Sequence, residues 1–460
     1  MRSTQTSSIA TDRSGVLPDR RSLPLTVRPA AGLPRFPMMD SVRGLGVMAV
    51  LTFHVFAITG ALSHAVLGRA TIVAGVVAVN CFFVMSGFLL ARPFFAKGVG
   101  EEGIGPYLAR FAWRRLLRIL PAYWAALVIL GLLVGLAGPL SHDWFKYFFF
   151  LQIYDQDTYG GGIPVAWTLC IEMSFYAMLA AWIAVFGSLG LGRAHETWLA
   201  RQAHFLLVIV VASGLFRFLG QELDLPRTAT GTLLGYGQWL FLGMLLAIGS
   251  VAYERGVERP PILRLLGRTM AIGTRMPNAC WVIAVAVGAV AAYLLPQAGL
   301  FAVIAGVQGQ MGLKRSGAIE LGVTVATLLV VLPASAMRPS RTVVHRFLVV
   351  RPIMWLGAIS YGMYLWHLPV AELIGTDGRT RFSVSGLELW STPSETPLLW
   401  LATLAITTSL AYASYRWVEL PCLRLRGRWR PPYRRVHTRA GADDEVGPSV
   451  NPASVDGRWG

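Results

Sequence analysis

The chain has 460 residues, 54% of them hydrophobic and only 14% charged, with a mean hydropathy of +0.54. Soluble domains carry about a quarter charged residues, so this composition excludes an ordinary soluble enzyme and points to an all-α polytopic, multi-pass protein of the cell membrane. The formal charge of +17 invites a nucleic-acid reading, but the basic residues sit between apolar runs, as topology signals do, and no nucleic-acid partner is expected.

Residues 1–37 hold Arg2, Arg13, Arg20, Arg21, Arg28 and Arg35 among Ser, Thr and Pro. They lack the compact apolar core of a cleavable signal peptide and read as a disordered basic arm. A membrane domain is expected over 38–420, with ten apolar runs of spanning length near 42–60, 71–91, 118–138, 164–187, 204–219, 231–251, 279–296, 319–336, 352–373 and 398–417. The stretch 297–312 is apolar too and reads as re-entrant or as an eleventh span. Residues 421–460 form a basic, largely disordered tail containing Arg424, Arg426, Arg428 and Arg430.

Basic residues concentrate in alternate connectors: the N-terminal arm, 92–118, 188–203, 252–278, 337–351 and the tail. The intervening connectors hold few. This alternation predicts an even number of spans with both termini in the cytoplasm. The connector 139–163 is rich in aromatics, including Trp144, Phe145, Tyr147, Phe148, Tyr154 and Tyr159, which either lie at the outer interface or roof a cavity. Four scattered cysteines show neither metal spacing nor a disulfide framework, and no metal site is expected.

Four constellations carry polar chemistry into apolar segments. In the first run, Arg43 and His54 stand eleven residues apart, which is three helical turns plus ~20°, so they share a face at roughly 16 Å separation. Asp40 lies one turn before Arg43. The purely structural alternative is a snorkelling arginine and a packed histidine. If functional, Arg43 suits an anion anchor and His54 a proton-transfer group. Next, Arg110, Arg114, Arg115 and Arg118 precede Ile119-Leu120-Pro121-Ala122-Tyr123. This cluster is either positive-inside charge or a grip for several phosphates.

The third is Trp167-Thr168-Leu169-Cys170-Ile171-Glu172, in which Glu172 is the sole acidic residue of its span. An intramembrane carboxylate needs a named partner, and His54 or an arginine are the candidates. The fourth places Ser360, Tyr364 and His367 at i, i+4 and i+7, on one stripe, where a polar helix–helix contact is the simpler reading. The sequence holds no Walker loop, no HExxH and no GxSxG nucleophile elbow.

Five ordered motifs resemble the acyltransferase 3 family of integral membrane O-acyltransferases. They are Asp40-x-x-Arg43 with ten residues before His54; Phe82-Phe83-Val84-Met85-Ser86-Gly87-Phe88-Leu89; Arg115-x-x-Arg118-Ile119-x-Pro121; Trp167-Thr168-Leu169-x-x-Glu172-x-x-Phe175-Tyr176; and Ser360-Tyr361-x-x-Tyr364-Leu365-x-His367. Glu419-Leu420-Pro421 resembles the family's closing Glu-x-Pro. The resemblance implies ten membrane helices and transfer of an acetyl or related acyl group from acyl-coenzyme A to a hydroxyl, usually on a sugar. It also implies an essential arginine–histidine pair.

Two departures stand out: Glu172-Met173 where members often carry adjacent acids, and a short basic tail where many carry a soluble hydrolase-like domain. Acyl transfer is then expected wholly within the membrane domain.

On this basis His54 and Glu172 are the expected catalytic residues, with Glu172 orienting His54. Arg43, Arg115 and Arg118 would bind acyl-coenzyme A, a donor substrate and not a bound cofactor. Asp40, Ser86, Gly87, Tyr123, Trp167, Ser360, Tyr361, Tyr364 and His367 would support the site. The expected partners are acyl-coenzyme A, the lipid bilayer and a hydroxyl on a glycan, glycolipid or secreted small molecule. A different class of function, a proton-coupled transporter using a His54/Glu172 relay, is the alternative.

Overall fold

A computed structural model describes residues 36–64, 66–100, 103–136, 138–189, 194–295, 313–375 and 393–425. The basic arm up to residue 35, the stretch 297–312 and most of the tail lie outside the described residues. Among the described residues fifteen α-helices run in chain order: α1 (Pro37–Ile58), α2 (Leu67–Lys97), α3 (Ile104–Leu133), α4 (Trp144–Phe148), α5 (Trp167–Leu189), α6 (His195–Glu222), α7 (Arg227–Thr230), α8 (Leu233–Glu254), α9 (Pro261–Arg275), α10 (Pro277–Leu294), α11 (Leu313–Ala334), α12 (Val343–Leu348), α13 (Arg351–Ile374), α14 (Thr396–Ser414) and α15 (Leu420–Arg424).

Every one of the ten predicted spans falls on a helix. Among the described residues, nine helical segments are long and apolar enough to cross a membrane. The predicted span 352–373 is not among the nine, although α13 covers it. Polar Ser360, Tyr361, Tyr364 and His367 interrupt α13, which is nonetheless deeply buried from Gly357 onward. A helix packed on protein needs less lipid-compatible surface than one facing the bilayer.

Two expected connectors are helical. α3 starts at Ile104, so Arg110, Arg114, Arg115 and Arg118 extend one continuous helix. α9 lies within the expected basic connector 252–278; it buries Leu263, Gly267 and Met270 and exposes Arg264, Arg268 and Arg275. That division is the signature of a helix lying in an interface.

The centre of the bundle is α2 packed on α8, with α1 packed on both α2 and α13. Glycines set both crossings. A Cβ on Gly87 would collide with the carbonyl oxygen of Leu240, and one on Gly357 with the carbonyl oxygen of Asp40. Gly44 faces the Gly357 backbone nitrogen in the same contact. Backbones approach closely where side chains are absent, which is how helices associate without a hydrophobic driving force between them.

Polar pairs add to this packing. Arg92 of α2 bonds Ser250 and Glu254 of α8. Arg217 of α6 pairs with Glu320 of α11 at 3.2 Å and lies over the rings of Tyr236 and Trp239. The connector 139–163 divides its aromatics: Trp144, Phe145, Phe149 and Tyr154 are exposed, whereas Tyr147 and Phe150 are buried. Phe150 stacks on Tyr123, and the Tyr123 hydroxyl donates to the Tyr147 carbonyl at 2.8 Å. Lys146 donates to Asp143 and Asp155, which pushes its ammonium above the usual range and holds the Asp155 carboxyl below its own.

Gly87→Ala and Gly357→Ala are expected to destabilise the folded protein by at least the ~1–3 kcal/mol of an overpacked core, because the obstruction is backbone. Gly105→Ala, with open space around it, should be neutral. Thermal unfolding in detergent, followed by size-exclusion chromatography, measures the difference.

Candidate active site

α1, α2, α3, α5 and α13 enclose a cavity of about 330 Å³. Its polar lining is Arg43 from α1, Ser86 from α2, Arg115 and Arg118 from α3, Thr168, Glu172 and Tyr176 from α5, and Ser360, Tyr361 and Tyr364 from α13. Helical spacing explains the convergence: Arg115 and Arg118 are three apart on one face of α3, and Glu172 and Tyr176 four apart on α5.

Glu172 is held from two sides. Its Oε1 accepts from the Ser86 hydroxyl at 3.0 Å and from the Tyr176 hydroxyl at 2.6 Å. Arg43 pairs with Asp40 at 3.6 Å. Arg118 makes no hydrogen bond, and no ion pair within 4 Å, among the described residues. The Arg115 guanidinium lies over the Phe111 ring, and its Nε is buried with no hydrogen-bond partner. Three guanidiniums and one carboxylate therefore line the space, an excess of positive charge suited to a ligand with several anionic groups.

His54 does not line this cavity. Nor does it meet Glu172, whose hydrogen bonds go to Ser86 and Tyr176; the expected orienting contact is absent. His54 instead meets His367 of α13, with Nδ1 3.1 Å from the His367 Nε2. Tyr364 links the two regions: it lines the cavity and its ring lies 5.7 Å from that of His367. The site thus has an arginine-lined cavity at one level and an imidazole pair at another, matching the separation of Arg43 and His54 along α1.

The remaining expected residues divide by location. Ser360, Tyr361 and Tyr364 face the cavity, with the Tyr361 hydroxyl donating to the Ile119 carbonyl at 2.8 Å and that of Tyr364 to the Val165 carbonyl at 2.9 Å. Gly87 is at the α2–α8 crossing and Tyr123 anchors the connector, so both support the site from behind. Trp167 packs between Phe83 and Tyr236, outside the lining. Glu419, the acid of the Glu-x-Pro motif, is a further buried polar group near the site, and that motif is its one signal in the sequence. It is buried on a π-helical turn, with Oε1 unpartnered, and lies within electrostatic reach of Arg118 and Tyr361. No cluster of three or more metal-ligating side chains occurs among the described residues.

A family model described as an acyltransferase domain matches residues 37–416. The chain is similar to the peptidoglycan O-acetyltransferase OatA of Listeria monocytogenes, with 24% identity over 404 residues, 84% of this chain and 55% of that protein. It is also similar to YrhL of Bacillus subtilis, provisionally named for the same activity, with 26% identity over 425 residues, 87% of this chain and 56% of that protein. An O-acetyltransferase assignment in Staphylococcus aureus shares 23% identity over 421 residues, 86% of this chain and 59% of that protein. The chain therefore spans just over half the length of these curated relatives. No solved structure matches it. Because the family model runs from the first residue of α1 to Arg416, just past α14, across all the helices that build the cavity, the chain belongs to the acyltransferase family.

Proposed function

We propose that the protein is a membrane O-acyltransferase that moves an acetyl or other short acyl group from acyl-coenzyme A to a hydroxyl of a cell-envelope glycan. The observation that carries this reading is the convergence of Arg43, Arg115 and Arg118 on one cavity, with Arg115 Nε and Arg118 lacking hydrogen-bond partners among the described residues. Acyl-coenzyme A is long, with phosphates at one end and the reactive thioester at the other. Guanidiniums bind phosphate oxygens through charge-assisted, often bidentate hydrogen bonds. The depth between Arg43 and His54, roughly 16 Å, suits such a donor better than a small substrate.

Orientation supports the same reading. Alternation of the helices brings Arg92, Arg255, Arg275 and Arg351 to the end of the bundle where α1 begins, and positive-inside bias assigns that end to the cytoplasm, where the donor resides. Both described termini then face inward. The glycan assignment rests on relatives named for peptidoglycan O-acetylation.

In the proposed reaction His54 removes the acceptor hydroxyl proton as its oxygen attacks the thioester carbonyl. A C–O bond forms and the C–S bond breaks. The departing sulfur takes the proton back from His54, leaving free coenzyme A and an ester. Glu172 acts as the counter-charge that spaces the guanidiniums and fixes the Ser86 and Tyr176 hydroxyls.

His54→Ala is expected to lower kcat by on the order of 10²–10⁴ with membrane insertion intact; full activity would remove His54 from the chemistry. Arg115→Ala and Arg118→Ala should each raise KM for acyl-coenzyme A roughly 10–100-fold, the value of a charged hydrogen bond, with a smaller effect on kcat. Reconstituted in liposomes with acetyl-coenzyme A and a glycan acceptor, the protein should release free thiol and an acetylated product. Appearance of unmodified substrate across the membrane, without thiol release, would favour transport instead.

A further inference from the structure

We propose that His367 is the positioning residue for His54, fixing its tautomer and aiming its free nitrogen at the reacting hydroxyl. The inference rests on the general-base reading of His54 and assigns the orienting role to a neutral imidazole in place of a carboxylate.

The argument begins with backbone carbonyls, which only accept hydrogen bonds. His367 Nδ1 is 3.1 Å from the Met363 carbonyl, so it carries a hydrogen and donates. In the neutral ring Nε2 is then an acceptor. His54 Nδ1 is 2.9 Å from the Val50 carbonyl, so it too carries a hydrogen. The same nitrogen lies 3.1 Å from His367 Nε2, and because that atom is an acceptor, the hydrogen on His54 Nδ1 is shared between the carbonyl and the ring. The lone pair of His54 is thereby confined to Nε2, which has no hydrogen-bond partner among the described residues. A general base needs this tautomer, with the basic nitrogen free and the other held.

The packing makes His367 a rigid orienter. It is fully buried, while His54 is half-buried. α1 and α13 run parallel, and their register is fixed by the Gly44–Gly357 contact. Ten residues further along each helix stand His54 and His367, so the contact that brings the backbones together also sets one ring opposite the other. In the carboxylate–histidine couples of soluble enzymes the orienter is charged. A second ionised carboxylate inside the membrane is costly, whereas a neutral imidazole accepts the Nδ1–H without adding buried charge. When His54 takes up a proton, its Nδ1–H bond to His367 becomes charge-assisted and strengthens, which favours the protonated state that the reaction passes through.

The test uses the full-length protein in detergent or liposomes, with acetyl-coenzyme A as donor and release of free thiol as readout. His367→Leu and His367→Met both remove the acceptor, so a packing failure of one leaves the other; His367→Gln retains a side-chain carbonyl able to accept from His54 Nδ1. Partners that orient a metal-ligating histidine act by roughly 10–100-fold, and an orienter of a general base is expected to act on the same scale. The expected result is kcat reduced roughly 10–100-fold in the Leu and Met variants, KM for the donor unchanged, and substantial recovery in His367→Gln. Wild-type kcat in the Leu or Met variant would overturn the proposal, as would an effect confined to KM or a Gln variant as impaired as the other two. His54→Ala run alongside separates the two claims: if it is fully active, the general-base reading itself fails, whereas an inactive His54→Ala beside active His367 variants removes only the positioning role.

Discussion

Two glycines, Gly44 and Gly357, let α1 and α13 lie backbone to backbone, and the site depends on that contact. It brings Arg43 beside Ser360, Tyr361 and Tyr364 at the cavity, and it sets His54 opposite His367 farther along. Membrane helices gain little from burying apolar surface against one another, because lipid is as apolar as leucine. Close backbone approach and interhelical hydrogen bonds must supply specificity instead. The Ser41 hydroxyl, which donates to the Leu348 carbonyl just before α13, fastens the start of the same pair.

Charge is distributed along α1 in a way that separates two tasks. Near its start, guanidiniums outnumber carboxylates, and among the described residues two of them have unmet hydrogen-bonding capacity. Farther along, polar function is carried by neutral rings. Charged groups are thus placed near the basic end of the bundle, where water and phosphates are close, and uncharged ones deeper, where desolvation of an ion is severe. Glu172 belongs to the guanidinium level, and two hydroxyl donors satisfy it.

Much of this was legible in the amino-acid order. Apolar runs located the helices, because spanning segments must satisfy their backbones internally, and the one-face spacing of Arg43 and His54 anticipated their alignment. The convergence of Arg43, Arg115, Arg118 and Glu172 also followed from ordered motifs. What the order did not disclose was adjacency. Periodicity says which face of a helix is polar but not which other helix that face meets, so His54 was assigned Glu172 when its partner is His367. That α3 begins as early as Ile104, and that α9 is helical, does not show in the order, because dense arginine reads as a loop signal although amphipathic helices carry the same residues on one side. Glu419 is 301 positions from Arg118 in the chain, so no local spacing shows that folding brings the two within electrostatic reach.

The Arg217–Glu320 pair bears on how the protein is made. Its two members are 103 residues apart, so at about 5–20 residues per second the arginine is synthesised some 5–20 s before its carboxylate. During that interval α6 must reside in or near the bilayer with a guanidinium lacking its counter-ion. Tyr236 and Trp239 arrive far sooner, in α8, and the faces of their rings hold the cation. Sequence order thus makes the aromatic faces that lie over Arg217 available before the carboxylate that pairs with it.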